Sequence, residues 1–180
     1  PEFHMNWRRL LRICANDDDQ HDDFKEVFST VPAEDIEAVL TCSCADENFG
    51  ETLLHTAIKK DNKQIMNLIL AECERLNVPN DRMVKGNGST PLHYACCHHG
   101  DKSIVKRLLE LGGKRSFAKT QGNWFAAHHA AQKGHEECMV MLLSDMCEHI
   151  FSNEANPGFA PISILGFFLD DDGSGANKEK

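Results

Sequence analysis

Between residues 50 and 150, short apolar segments come in pairs. The second member of each pair holds Ile65, Met66, Leu68, Ile69 and Leu70, then Ile104, Val105, Leu108 and Leu109, then Cys138, Met139, Met141, Leu142 and Leu143. Spacings of three and four place each set on one buried face of a helix. Each is preceded by a polar break, Asp61-Asn62, Gly100-Asp101 or Gly134-His135, and before that break lies a shorter segment rich in Leu and Ala. The pattern predicts successive helix pairs and therefore an all-α chain.

The shorter segments repeat one another: Gly50-Glu-Thr-Leu-Leu-His-Thr-Ala-Ile58, Gly88-Ser-Thr-Pro-Leu-His-Tyr-Ala-Cys96 and Asn123-Trp-Phe-Ala-Ala-His-His-Ala-Ala131. A fourth, Gly158-Phe-Ala-Pro-Ile-Ser-Ile-Leu-Gly166, keeps the Gly and the Pro. The anchor positions 55, 93, 128 and 163 are 38, 35 and 35 residues apart, a repeat period with short insertions. Thr90 is suited to cap a helix, Pro91 to start it where no amide donor is missed, and His93 stands where a capping box places Glu or Gln. Ala95, Ala130 and Ala131 let one helix lie close to its neighbours, and Gly112-Gly113 is placed to end the second helix of its pair.

These residues resemble the ankyrin repeat, with its Gly-x-Thr-Pro-Leu-His-x-Ala-Ala opening, Gly-His break and Leu-Leu second helix. The second unit matches best, through Thr90, Pro91, Leu92, His93, Ala95, Gly100 and Leu108-Leu109, although it carries one extra residue between Ala95 and Gly100. The first replaces the Pro with Leu53 and the Gly-His break with Asp61-Asn62; the third has Phe125 and Ala126 in place of Thr and Pro. The resemblance covers roughly residues 46–168 and implies a solenoid of antiparallel helix pairs joined by β-turn or hairpin fingers, with an N-terminal helical cap.

On that frame, residues 1–5 (Pro-Glu-Phe-His-Met) are an expression remnant, 6–45 a helical cap or degenerate repeat, and 46–84 the first repeat with a lengthened loop. Residues 85–119 and 120–153 form the second and third repeats, 154–169 a partial fourth, and 170–180 a polar acidic tail. Within the cap, Trp7 to Ala15 is amphipathic, Asp22 to Phe28 offers Phe24, Val27 and Phe28, and Thr30 with Pro32 opens a third short helix ending near Leu40.

Charge narrows the list of partners. The 180 residues carry a formal net charge of −9, which argues against nucleic acid or an anionic membrane surface. The negative charge collects at the ends, at −8 for residues 1–50 and −3 for 151–180, leaving +2 for 51–150. No apolar run is long enough for membrane insertion. Eight cysteines scattered through helical patterns, without a signal peptide, fit reduced thiols in an intracellular protein, cytoplasmic or nuclear.

Candidate chemistry is sparse. No metal or other cofactor is expected: Cys42/Cys44, Cys96/Cys97, His98/His99 and His128/His129 are adjacent or one apart, whereas structural zinc favours wider gaps that let ligands converge. His98, His99 and His129 would be the best cluster if zinc bound. Asp170, Asp172, Gly173 and Glu179 follow a calcium loop in part but lack its first ligand and the helix after it. The chain holds no Gly-x-Ser-x-Gly, phosphate-binding glycine loop or His-Glu-x-x-His, so it is not expected to be an enzyme. The sequon at Asn87-Gly88-Ser89 is expected to be unused inside a cell.

What remains is surface recognition of a protein or peptide. In the ankyrin family, partners commonly dock on the concave face made by fingers and first helices, and the resemblance carries this to Thr56, Lys59, Lys60, Tyr94, Cys97, His98, His129, Gln132, Lys133 and Ile164, with Glu51, Ser89, Trp124 and Phe159 in the fingers. Tyr94 and Trp124 are the expected aromatic anchors, with His98, His129, Thr56 and a stripe of Lys59, Lys60, Lys119 and Lys133 around them. A scaffold or adaptor role follows. The alternative is a regulatory arm of a larger enzyme, ion channel or transcription regulator. The chain is expected to be monomeric, with self-association possible through residues 162–169.

Overall fold

A computed structural model describes residues 2–16, 20–43, 50–79, 83, 86–112 and 119–152 of the chain. Gly113, residues 154–180 and the sites expected there, Phe159, Ile164, the calcium-like run and the self-association segment, lie outside them.

The polar breaks decide the architecture. Asp61, Gly100 and Gly134 each adopt positive φ, at 54°, 61° and 71°, so the chain reverses at the same place in every unit. The next residue starts the second helix. Asn62 accepts from the Ile65 amide at 3.1 Å, and Asp101 accepts from the Ser103 amide and hydroxyl at 2.9 and 2.7 Å. At Gly100 a side chain is excluded twice, by φ and by the His135 ring, whose Cγ would lie 2.3 Å from an added Cβ.

The resulting helices form two layers. α1 (Glu2–Ala15), α4 (Leu53–Lys59), α6 (Pro91–His98) and α8 (Ala126–Lys133) pack side by side as the inner layer. α2 (His21–Ser29), α5 (Lys63–Leu76), α7 (Lys102–Gly112) and α9 (Glu136–Ser152) form the outer one, with α3 (Ile36–Thr41) against α4 and α5. Seven- and eight-residue inner helices are too short to persist alone, and their stability comes from neighbours on either side. Leu53, Leu54, Ala57, Ile58, Leu92 and Ala126 are all buried between the layers. Each fully buried Leu or Ile contributes roughly 1.5–3 kcal/mol.

The helical cap is built like another pair. Trp7, Leu10, Leu11 and Cys14 of α1 join Phe24 and Val27 of α2 in the same core, and α1 lies on α4 as α4 lies on α6. Thr30 does not open the third cap helix. Its amide and hydroxyl both donate to Val27 O, at 3.1 and 2.7 Å, so it closes α2 instead, and α3 starts at Ile36 after a turn through Pro32. Gly112 is likewise the buried last residue of α7 rather than a left-handed cap.

Among the described residues the fingers contain no strand. They are turns made by a second set of positive-φ residues, Gly50 (76°), Gly88 (81°) and Asn123 (64°). The Gln121 amide donates to Asn87 O at 2.8 Å and its side chain to Gly86 O at 2.8 Å, which stacks the third finger on the second. The solenoid of helix pairs is therefore present, with turn fingers and a helical cap. No described helix is long and apolar enough to cross a membrane.

Candidate functional site

The repeated histidines are the frame of the inner face. His55 Nδ1 accepts from the Thr52 amide at 3.3 Å, and its Nε2 lies 3.2 Å from Ser89 O in the next finger. His93 repeats this with the Thr90 amide at 3.2 Å and Trp124 O at 3.2 Å. An amide donates and a carbonyl accepts, so both bond patterns place the imidazole proton on Nε2. Each ring starts its own helix and holds the following finger. In the third unit His128 Nδ1 accepts from the Phe125 amide at 3.0 Å, and Phe125 replaces the Thr hydroxyl with a ring stacked on His128.

The residue after each histidine holds the same place in its repeat: Thr56, Tyr94 and His129. Thr56 is 2% exposed and donates to Thr52 O at 3.3 Å, because α1 and α6 close over both sides of α4. The expectation that Thr56 contacts a partner is therefore corrected. The two finger positions Glu51 and Ser89 are also buried, at 1% and 6%. Tyr94 is half-buried: its ring meets His55 edge-on at 4.7 Å and His98 at 5.3 Å, and its hydroxyl donates to Glu51 Oε1 at 2.7 Å. Lys59 Nζ pairs with the same carboxylate at 3.2 Å.

Glu51 is the residue whose role sequence reasoning missed. It precedes its repeat's Thr-Leu-Leu-His, but its partner Tyr94 is 43 residues away, and no local pattern links them. Burial, the hydrogen bond to Glu51 and that carboxylate's charge all push the Tyr94 phenol well above its ordinary range. Tyr94 is thus a tie between the first two repeats as much as a surface ring.

Farther along the face, Trp124 packs against His129 at 5.1 Å and His128 at 5.8 Å, remaining partly exposed. His129 also meets His93 edge-on at 5.8 Å, and its buried Nδ1 finds no hydrogen-bond partner among the described residues. His98 is exposed beside Tyr94 and His99. Desolvation, then His99 and Lys59, depress the His98 pKa; desolvation, then His128 and His98, depress that of His129. Lys133 lowers both, which places it in the same electrostatic neighbourhood. Lys119, by contrast, sits over the Phe125 ring at 4.9 Å. The structure therefore places Lys59, Tyr94, His98, His129 and Lys133 on the short helices α4, α6 and α8, with Trp124 in the finger before α8, and removes Thr56 from the set.

The remaining chemistry has structural uses. Asn87 Oδ1 accepts from the Ser89 amide at 3.0 Å, an Asx turn that shapes the finger. The seven described cysteines are free thiols, and Cys138 Sγ donates to Gly100 O at 3.0 Å. Among the described residues no three His, Cys, Asp or Glu side chains converge as metal ligands, His98, His99 and His129 included.

Comparison with known proteins agrees with the helix pairs. A family model of ankyrin repeats, in three copies, matches residues 13–115, more than half of the chain. That span begins in the helical cap and ends before the third histidine repeat. A fowlpox virus (strain NVSL) protein named for its ankyrin repeats is 35% identical over 60 residues, 33% of this chain. Those residues make up 16% of the viral protein's length.

Proposed function

The chain belongs to the ankyrin-repeat family, a family of protein-interaction modules, and from that premise we propose that its inner-helix face binds a protein or peptide and catalyses no reaction. The observation that carries this is Trp124: a large, partly exposed ring held against His128 and His129 just before α8, the helix whose other end carries exposed Lys133. Such a ring buries much area on binding with few rotors to freeze. Stacked repeats hold it in place beforehand, so little ordering cost is left for the encounter.

The units belonging to this reading are a cap over 6–45, repeats over 46–84, 85–119 and 120–153, and a scaffold or adaptor role inside a cell. The free thiols suit that reducing setting.

A photo-crosslinking side chain at Gln132 tests the face. Gln132 is exposed on α8, whereas Lys106 is exposed on the outer helix α7. The expected result is a partner adduct from position 132 in lysate of the native cells, none from 106, and loss of the adduct in Trp124→Ala. Adducts from 106 alone would move binding to the outer layer.

A further inference from the structure

Charge is sorted by layer. The inner helices α1, α4, α6 and α8 carry Arg8, Arg9, Arg12, Lys59 and Lys133 against one carboxylate, Glu2, and α4, α6 and α8 carry none. The other helices hold eleven carboxylates and six cations. Five of those six cations have a carboxylate within 4 Å: Lys63 lies 3.8 Å from Asp101, Arg75 2.8 Å from Glu72, Lys102 3.7 Å from Glu137, Lys106 3.9 Å from Glu110 and Arg107 2.7 Å from Glu74. On the inner face the carboxylate of Glu51 is closed off at 2% exposure and already holds Lys59 and Tyr94. Lys133 has no carboxylate partner among the described residues.

Resting on the binding face proposed above, we propose that its occupant is an acidic peptide segment, with Asp and Glu side chains set against Lys133 and the imidazoles of His98 and His129, and an apolar side chain on the Trp124 ring. Distance decides against the opposite choice. Packed helix layers are about 8–10 Å apart, close to the screening length of roughly 8 Å at physiological salt. A segment lying on α6 and α8 therefore responds mainly to the inner cations, and the net −9 of the whole chain is largely screened. A basic segment would meet Lys133 and the imidazoles with no exposed carboxylate on those helices to receive it. The partner's carboxylates also supply what an inner face without acidic side chains lacks, and charge of this kind sets encounter rate and partner choice.

The probe is a displayed library of random peptides, about twelve residues long, selected on the full chain in low salt. The expected result is enrichment of Asp- and Glu-rich sequences carrying an aromatic or aliphatic residue. Their binding should weaken about ten-fold in Lys133→Glu and fall steeply as salt is raised. Lys106→Glu on the outer layer should bind them as the parent does, and unchanged melting temperatures confirm that both variants fold. Enrichment of neutral or basic peptides that Trp124→Ala loses would overturn the acidic occupant while leaving the binding face intact. Acidic peptides that bind Lys133→Glu as well as the parent would overturn its placement. A library that yields no binder sinks both the occupant and the peptide-binding function.

Discussion

Tyr94 Oη donates a 2.7 Å hydrogen bond to Oε1 of Glu51, a buried carboxylate that belongs to the preceding repeat. Tyr94→Phe keeps the ring against His55 and His98 but removes a donor from a buried charge. The expected cost is about 1.5–3 kcal/mol in urea unfolding. In the Glu51→Gln background the same change should cost much less, and equal losses in both backgrounds would refute the tie. Tyr94→Ala is for this reason a poor probe of binding, because it lowers stability as well.

His93 joins two repeats through one ring, taking the Thr90 amide on one side and giving to Trp124 O on the other. His93→Ala strands both backbone groups in a buried place. Unfolding should become about 2–4 kcal/mol easier, and hydrogen exchange at the Thr90 amide should quicken. A loss below about 0.5 kcal/mol would mean that water replaces the ring.

Two glycines at equivalent turns separate backbone strain from crowding. Both have positive φ, but a Cβ at Gly134 meets nothing within 4 Å, whereas one at Gly100 would collide with His135. Gly134→Ala is expected to cost about 1–2 kcal/mol from φ alone, and Gly100→Ala clearly more, with a shifted His135 ring. Equal melting temperatures for the two variants would contradict this.

Acid should weaken the fold through His98 and His129, whose native pKa values lie below the ordinary 6.5. The unfolded chain then binds more protons than the native one, so stability is complete above pH 6.5 and declines as pH drops through the depressed values. Calorimetry from pH 8 to pH 5 should show a melting temperature that falls by on the order of a few degrees, and the slope should flatten in His98→Gln/His129→Gln. A slope unchanged by the double substitution would place the acid sensitivity elsewhere.

Thiol reactivity maps the core. Burial pushes Cys73 up to about 12 and raises Cys14 and Cys96 strongly, whereas Cys147 is exposed on α9. In native protein at pH 8, peptide mapping should find Cys147 modified first by a disulfide reagent, with Cys14, Cys73 and Cys96 reacting only as fast as the chain unfolds.

Local periodicity determined much of this protein. Apolar spacing placed every second helix, the polar breaks placed the reversals, and Thr-x-x-His placed the starts of α4 and α6, because each depends on residues within a turn or two of one another. Thr30 misled for the same local reason: it has the features of a helix start, but its hydroxyl is used at the end of the helix before it.

Tertiary structure decided the rest. Thr56 and Tyr94 occupy the same place after their histidines, yet the first is sealed by α1 and α6 and the second reaches across to Glu51. Net charge is also a sum over the chain, blind to which helix faces which way. It takes the stacking of pairs, at separations of 33 to 40 residues in Arg107–Glu74, Arg107–Asn67 and His55–Ser89, to leave one layer nearly free of carboxylates and gather them on the other. Contacts that span a repeat depend on how units pack, and a pattern confined to one repeat does not encode them.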